Sequence, residues 1–196
     1  MSEQPATWSL RADWTEPLRR RPLATAFGCA LAAAALGVRT GARPELAAVL
    51  YLAVAGTLLA VVDAALRRLP DPLTLPSYPV AAALLGVAAA VDGDAARFGG
   101  ALAGMAALGA LYAVQWVAVP DHIGLGDVKL AGVLGLYLGW YGTAAWVAGL
   151  LIAVLSGGAA AAALLLARRA GRRDALPYGP FLIGGTFAAV LLYAGS

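Results

Sequence analysis

Two aspartates stand where an apolar chain rarely keeps a charge. Asp63 closes an apolar run in VVDAALRRLPDPLTLP (residues 61–76), and Asp127 opens another in GLGDVKL (residues 124–130). A charged group at the centre of a bilayer costs on the order of 3 kcal/mol or more unless it meets water or a partner. Two carboxylates brought close together do not both ionise readily. They tend to share a proton, which leaves one as general base and the other as general acid. Aspartic proteolysis needs that division of roles. A base-activated water attacks the peptide carbonyl while the acid protonates the developing oxyanion or leaving nitrogen, without metal, cofactor or covalent intermediate. Gly124 and Gly126 would let the backbone approach a substrate strand closely.

Each motif alone also has a plainer reading. Asp127 fits a Gly-Asp turn before a helix, and Asp63 fits an interface or snorkelling residue with Arg67 one helical turn along. Lys129 is the only lysine among 14 basic residues and follows Asp127 by two positions. There a compact ammonium would stabilise a charged carboxylate or hold a substrate carbonyl; chance placement is the alternative. His122 lacks a second metal ligand nearby and reads as a loop residue. Paired membrane aspartates also relay protons, so a proton- or ion-coupled transporter and a catalytically silent scaffold stand beside the enzyme as functional classes. Neither aspartate motif has a matching half of the kind that inverted-repeat transporters carry.

The elements that must position these residues follow from composition. Hydrophobic residues make up 61% of the 196 and charged residues 13%, against roughly a quarter charged in soluble domains. The bilayer is therefore the expected solvent. Apolar runs fall at about 22–38, 44–66, 78–91, 97–119, 128–141, 143–167 and 180–194. The expected fold is all-α, a polytopic transmembrane bundle of seven spans, with six to eight compatible with the length. Residues 1–21 form a cytoplasmic N-terminal segment in this reading, and 22–196 a single transmembrane domain beginning with an uncleaved anchor. The third and fifth runs are short for spans, which fits tilting, local thinning or burial behind neighbours.

Basic residues set the orientation. Arg11, Arg19, Arg20, Arg21, Arg67, Arg68, Lys129, Arg168, Arg169, Arg172 and Arg173 flank one side, 11 in all, and Arg39, Arg43 and Arg97 the other. The positive-inside rule then places the N-terminus in the cytoplasm and the C-terminus outside, with Asp63 and Asp127 at one cytoplasmic edge. The basic residues form no nucleic-acid stripe, so membrane lipid is the expected surrounding and nucleic acid is not an expected partner. The single cysteine, Cys29, excludes an internal disulfide. Gly100 with Gly104, and Gly135 with Gly139, have the spacing that lets membrane helices pack backbone to backbone. Trp116, Trp140, Tyr141 and Trp146 lie near span ends, where amphipathic rings favour the headgroup region.

The two aspartate motifs resemble the two active-site motifs of the prepilin peptidases: Asp63 with Leu69-Pro70-Asp71 after five residues and Leu-Thr-Leu-Pro at 73–76, then Gly124-Leu125-Gly126-Asp127-Val128-Lys129. A third string, LPYGPFLIGG (residues 176–185), resembles the segment before that family's last helix. The resemblance runs from about residue 44 to 194. It implies a membrane aspartic protease that cleaves a short basic leader from prepilin-like proteins, with Asp63 and Asp127 as the catalytic pair, Gly124, Gly126 and Lys129 in support, and no cofactor or metal. Asp71 matches a family residue outside the dyad and is expected to form a turn. Longer members carry an N-terminal insertion with paired cysteines and also methylate the new N-terminus; this chain resembles the short form, without methylation.

Overall fold

In the computed structural model, residues 13–119, 124–167 and 177–195 are described, and among them every regular element is a helix. A short α1 (Glu16–Arg20) precedes seven long helices: α2 (Pro22–Thr40), α3 (Leu46–Leu66), α4 (Asp71–Asp92), α5 (Ala95–Ala118), α6 (Leu125–Trp140), α7 (Thr143–Leu166) and α8 (Gly179–Tyr193). They correspond one to one with the seven apolar runs. His122, Arg11, Arg168, Arg169, Arg172 and Arg173 lie outside the described residues. Helices α2, α3, α4, α5 and α7 are long and apolar enough to cross a membrane, and α8 is a shorter apolar helix of 15 residues. The protein is a polytopic helical membrane bundle.

The two short runs resolve in different ways. The third is not short: α4 starts at Asp71, seven residues before the expected 78, and runs through Pro76 and Pro79. Proline ends helices in water, but in membrane bundles hydroxyls and neighbouring helices satisfy the carbonyls it leaves free. Here Pro76 and Pro79 withdraw the donors that the Pro72 and Leu75 carbonyls would otherwise meet, while Thr74 Oγ1 back-bonds to the Pro70 carbonyl at 3.1 Å and Ser77 Oγ to the Leu73 carbonyl at 2.7 Å. The fifth run is short because its helix is interior. Of the alternatives, burial behind neighbours describes α6, which is buried almost continuously from Leu130 to Trp140 and packs on α4, α5, α7 and α8.

Glycine permits that position. A Cβ on Gly104 of α5 would stand 2.5 Å from the Gly135 carbonyl oxygen of α6, and one on Gly135 would meet the Gly104 carbonyl at the same distance. Neither site holds any side chain without moving a helix backbone. Lipid provides no hydrophobic drive for helix pairing, so close van der Waals contact of this kind supplies much of the attraction.

Glu45, the N-cap of α3, is fully buried and pairs with Arg97 of α5 at 3.0 Å. Arg97 also donates from Nε to the Trp140 carbonyl at 3.2 Å, and its guanidinium lies 4.3 Å from the centre of the Trp140 ring. Trp140 thus departs from the headgroup position expected of it: it is buried at 2% exposure beneath a cation. Arg39 likewise has a structural task, donating from Nε to the Leu191 carbonyl at 2.7 Å and so satisfying the free C-terminal end of α8. Glu45 and Asp63 are 18 residues apart along one helix, or about 27 Å at 1.5 Å per residue, close to the thickness of a bilayer core. The buried ion pair and the aspartate site therefore occupy opposite edges.

Breaking the buried pair leaves an uncompensated charge. Arg97→Ala should lower the unfolding free energy by about 3–5 kcal/mol, read by thermal or SDS-induced unfolding in detergent. Arg20→Ala, which removes only an exposed pair with Glu16, should change little. Equal responses from the two variants would show that the buried pair does not hold this edge together.

Candidate active site

Asp63 and Asp127 reach one place from distant parts of the chain. Asp63 is in the last turn of α3, four residues before Arg67, whose N–H donates to the Asp63 carbonyl at 2.8 Å and whose left-handed backbone (φ 52°) stops the helix. Among the described residues it is the only non-glycine with positive φ. The chain then turns through Leu69 and the extended Pro70 into α4. Asp127 is in the first turn of α6, where its backbone N–H donates to the Gly124 carbonyl at 3.0 Å and its Oδ2 accepts a long 3.4 Å contact from the Gly124 N–H. Both aspartates line a cavity of about 510 Å³ and are near enough to interact electrostatically.

The cavity also takes in Gly124, Gly126 and Asp71. Gly126 allows a close approach: a Cβ there would stand 3.2 Å from Cβ of Leu69, so the two motif segments meet backbone to side chain. Lys129 behaves differently from the expectation. Its ammonium pairs with Asp71 at 2.7 Å, across 58 residues of sequence, and not with Asp127. Asp71 in turn is more than a turn residue: it is the first residue of α4, where an acidic side chain complements the helix dipole.

Two contributors escaped the sequence reading. Gly179, the first residue of α8, donates its N–H to Asp63 Oδ2 at 3.0 Å, across 116 residues. A Cβ there would lie 2.7 Å from the same oxygen. The third motif string therefore reaches the first aspartate through its Gly179. Tyr178 beside it packs against Tyr112 of α5, ring centres 6.3 Å apart, and against Gly157 of α7, which fixes the corner. The only available signal was the resemblance of the string itself, which carried no role. Trp14 is the other contributor. It lines the cavity from the segment before α1, and nothing in its spacing pointed there.

A helical membrane bundle thus brings two carboxylates from separate helices to one cavity, an arrangement that general acid–base chemistry can use. The chain belongs to the type IV leader peptidase family, whose model matches residues 49–166. A prepilin leader peptidase/N-methyltransferase of Burkholderia pseudomallei is 34% identical over 180 residues, 90% of this chain and 55% of that protein. One of the same description from Pectobacterium carotovorum subsp. carotovorum is 32% identical over 139 residues, 68% of this chain and 47% of that protein. The chain thus spans about half the length of the curated relatives it matches. No solved structure matches it.

The geometry at Gly179 makes a direct prediction. Gly179→Ala should displace the Asp63 carboxylate and cut peptidase activity at least tenfold, whereas Gly184→Ala on the same helix, with open space at its Cβ, should leave activity within twofold. The two variants are compared at equal membrane abundance. Full activity in Gly179→Ala would show that its N–H contact does not position Asp63.

Proposed function

We propose that this protein is an aspartic endopeptidase that removes the basic leader from prepilin-like precursors at the cytoplasmic face of a bacterial inner membrane. One observation carries the reading: Asp63 and Asp127, 64 residues apart in sequence, line a single cavity in a chain of the leader peptidase family. In the proposed reaction one carboxylate takes a proton from water as the oxygen adds to the scissile carbonyl. The other, protonated, hydrogen-bonds the developing oxyanion. Collapse of the tetrahedral intermediate breaks the C–N bond, and the proton held by the acid passes to the leaving amine. Each turnover returns one proton to the pair.

The surroundings suit a peptide at a membrane edge. Trp14, Leu66, Leu69 and Leu125 give the cavity apolar walls beside its carboxylates, as a substrate with a polar leader joined to a hydrophobic helix would need. Membrane lipid surrounds the rest: α2 presents Leu23, Phe27 and Leu31 outward, and α7 presents Leu151 and Leu155. The N-terminal segment 1–21 is assigned to the cytoplasm with the site, and 22–196 to the transmembrane peptidase domain. The bias of 11 basic residues on the dyad side against three on the other supports this orientation. Arg39 and Arg97 strengthen it, since both already have structural partners. The reaction proposed is proteolysis without methylation.

Asp63→Asn and Asp127→Asn should each abolish cleavage of a co-expressed prepilin-like precursor, read as failure of its size shift, because an amide cannot exchange the proton. The double variant should be no worse than either single one, as for groups acting as a unit. Immunoblots of the membrane fraction should show all three at wild-type level. Near wild-type processing by either single variant would end the aspartic reading. A reporter fused at the C-terminus should be active only in its extracytoplasmic form; cytoplasmic activity would overturn the orientation.

A further inference from the structure

Lys129 is held at two points by the same helix. Its ammonium meets Asp71 at 2.7 Å, and its backbone carbonyl accepts from Tyr78 Oη, also at 2.7 Å. Asp71 and Tyr78 are seven residues apart, two turns of α4, and so share the face turned to α6. A Cβ at Gly132 would meet the Tyr78 ring carbon Cζ at 2.9 Å, so the glycine one turn past Lys129 lets the tyrosine in. The clasp lies between the two aspartates in the chain's connectivity. Asp71 is joined to Asp63 by the short corner 64–70, and Lys129 follows Asp127 by two residues on the first turn of α6.

We infer that the Asp71–Lys129 ion pair is a positioning device that sets the distance between Asp63 and Asp127 by fixing the start of α4 against the start of α6. This rests on the peptidase reading above. The pair is partly exposed, with side chains at 52% and 34%, and pairs of that kind add little to global stability. Its effect is local. An acid and base sharing one water depend on spacing, and a misplacement of about 1 Å costs on the order of 100-fold in rate. Releasing the clasp therefore slows the chemical step while the cavity walls, which bind the peptide, stay in place.

The test uses charge reversal in the full-length chain in detergent or proteoliposomes. Asp71→Lys and Lys129→Asp should each lower kcat at least tenfold with KM changed less than threefold. The double reversal should restore kcat to within about threefold of wild type. Unchanged kcat in the single variants, or a double variant as impaired as the singles, would overturn the inference, the latter because it would mean that each side chain acts separately on substrate. A second measurement needs no turnover. Lys129 is the sole lysine, so its labelling by an amine-reactive reagent, located by mass spectrometry, reports on the pair. Asp71→Asn should raise its labelling rate about fivefold. An unchanged rate would overturn the clasp even if the enzyme is active, whereas a raised rate with no cleavage by the wild-type chain would count against the peptidase reading alone.

Discussion

Close backbone packing between α5 and α6 is the constraint on which the remainder of the bundle rests. In lipid an apolar face gains nothing by turning from tails to a neighbouring helix, so association depends on contact distance. Gly104 and Gly135 let main chains touch where any Cβ would overlap a carbonyl. That contact makes α6 an interior helix, buried from Leu130 onward although only 16 residues long. An interior helix can place the residues of its first turn beside the ends of several others at once. Asp127 sits on that turn, and α3 and α4 bring Asp63 and Asp71 to it.

The bundle's two edges are built for different purposes. At one, Glu45 is fully buried with Arg97 as its partner, and Trp140 lies beneath the guanidinium. Removing either charge there strands the other, so the edge behaves as a fixed joint. At the other, Asp63 accepts a single N–H from Gly179, Asp127 a long contact from Gly124, and both line an open cavity. The fixed joint lies about 27 Å away along α3.

Much of this was legible in residue types alone, and the parts that were not share a cause. Apolar runs gave all seven long helices, and glycine spacing marked the α5–α6 contact, because both signals are local and periodic. Proline misled at α4, which runs through Pro76 and Pro79: the penalty against proline assumes water, and membrane helices tolerate it. Trp140 misled for a similar reason, since a span-end aromatic has two solutions, headgroup or buried cation, and only Arg97 chooses between them. The Asp63–Gly179 and Asp71–Lys129 contacts span 116 and 58 residues. Tertiary packing alone creates such pairs, and a lysine beside Asp127 in sequence pairs with Asp71 instead.

The placement of both aspartates at helix termini also has a physical reason. The first N–H groups of any helix have no intrahelical acceptor and must find one elsewhere. Gly179 opens α8 and offers its N–H to Asp63; Gly124 caps α6 and offers its own to Asp127. Each carboxylate is thus held by a donor that the bundle would otherwise leave unmatched. At Gly179 a Cβ would press to 2.7 Å from the acid oxygen, whereas one at Gly124 would stand at an ordinary 3.6 Å from Asp127 Oδ2. Two carboxylates in mid-helix would have to take their donors from intact helical ladders, where every N–H is already engaged. At the helix ends such donors come at no cost to the helices.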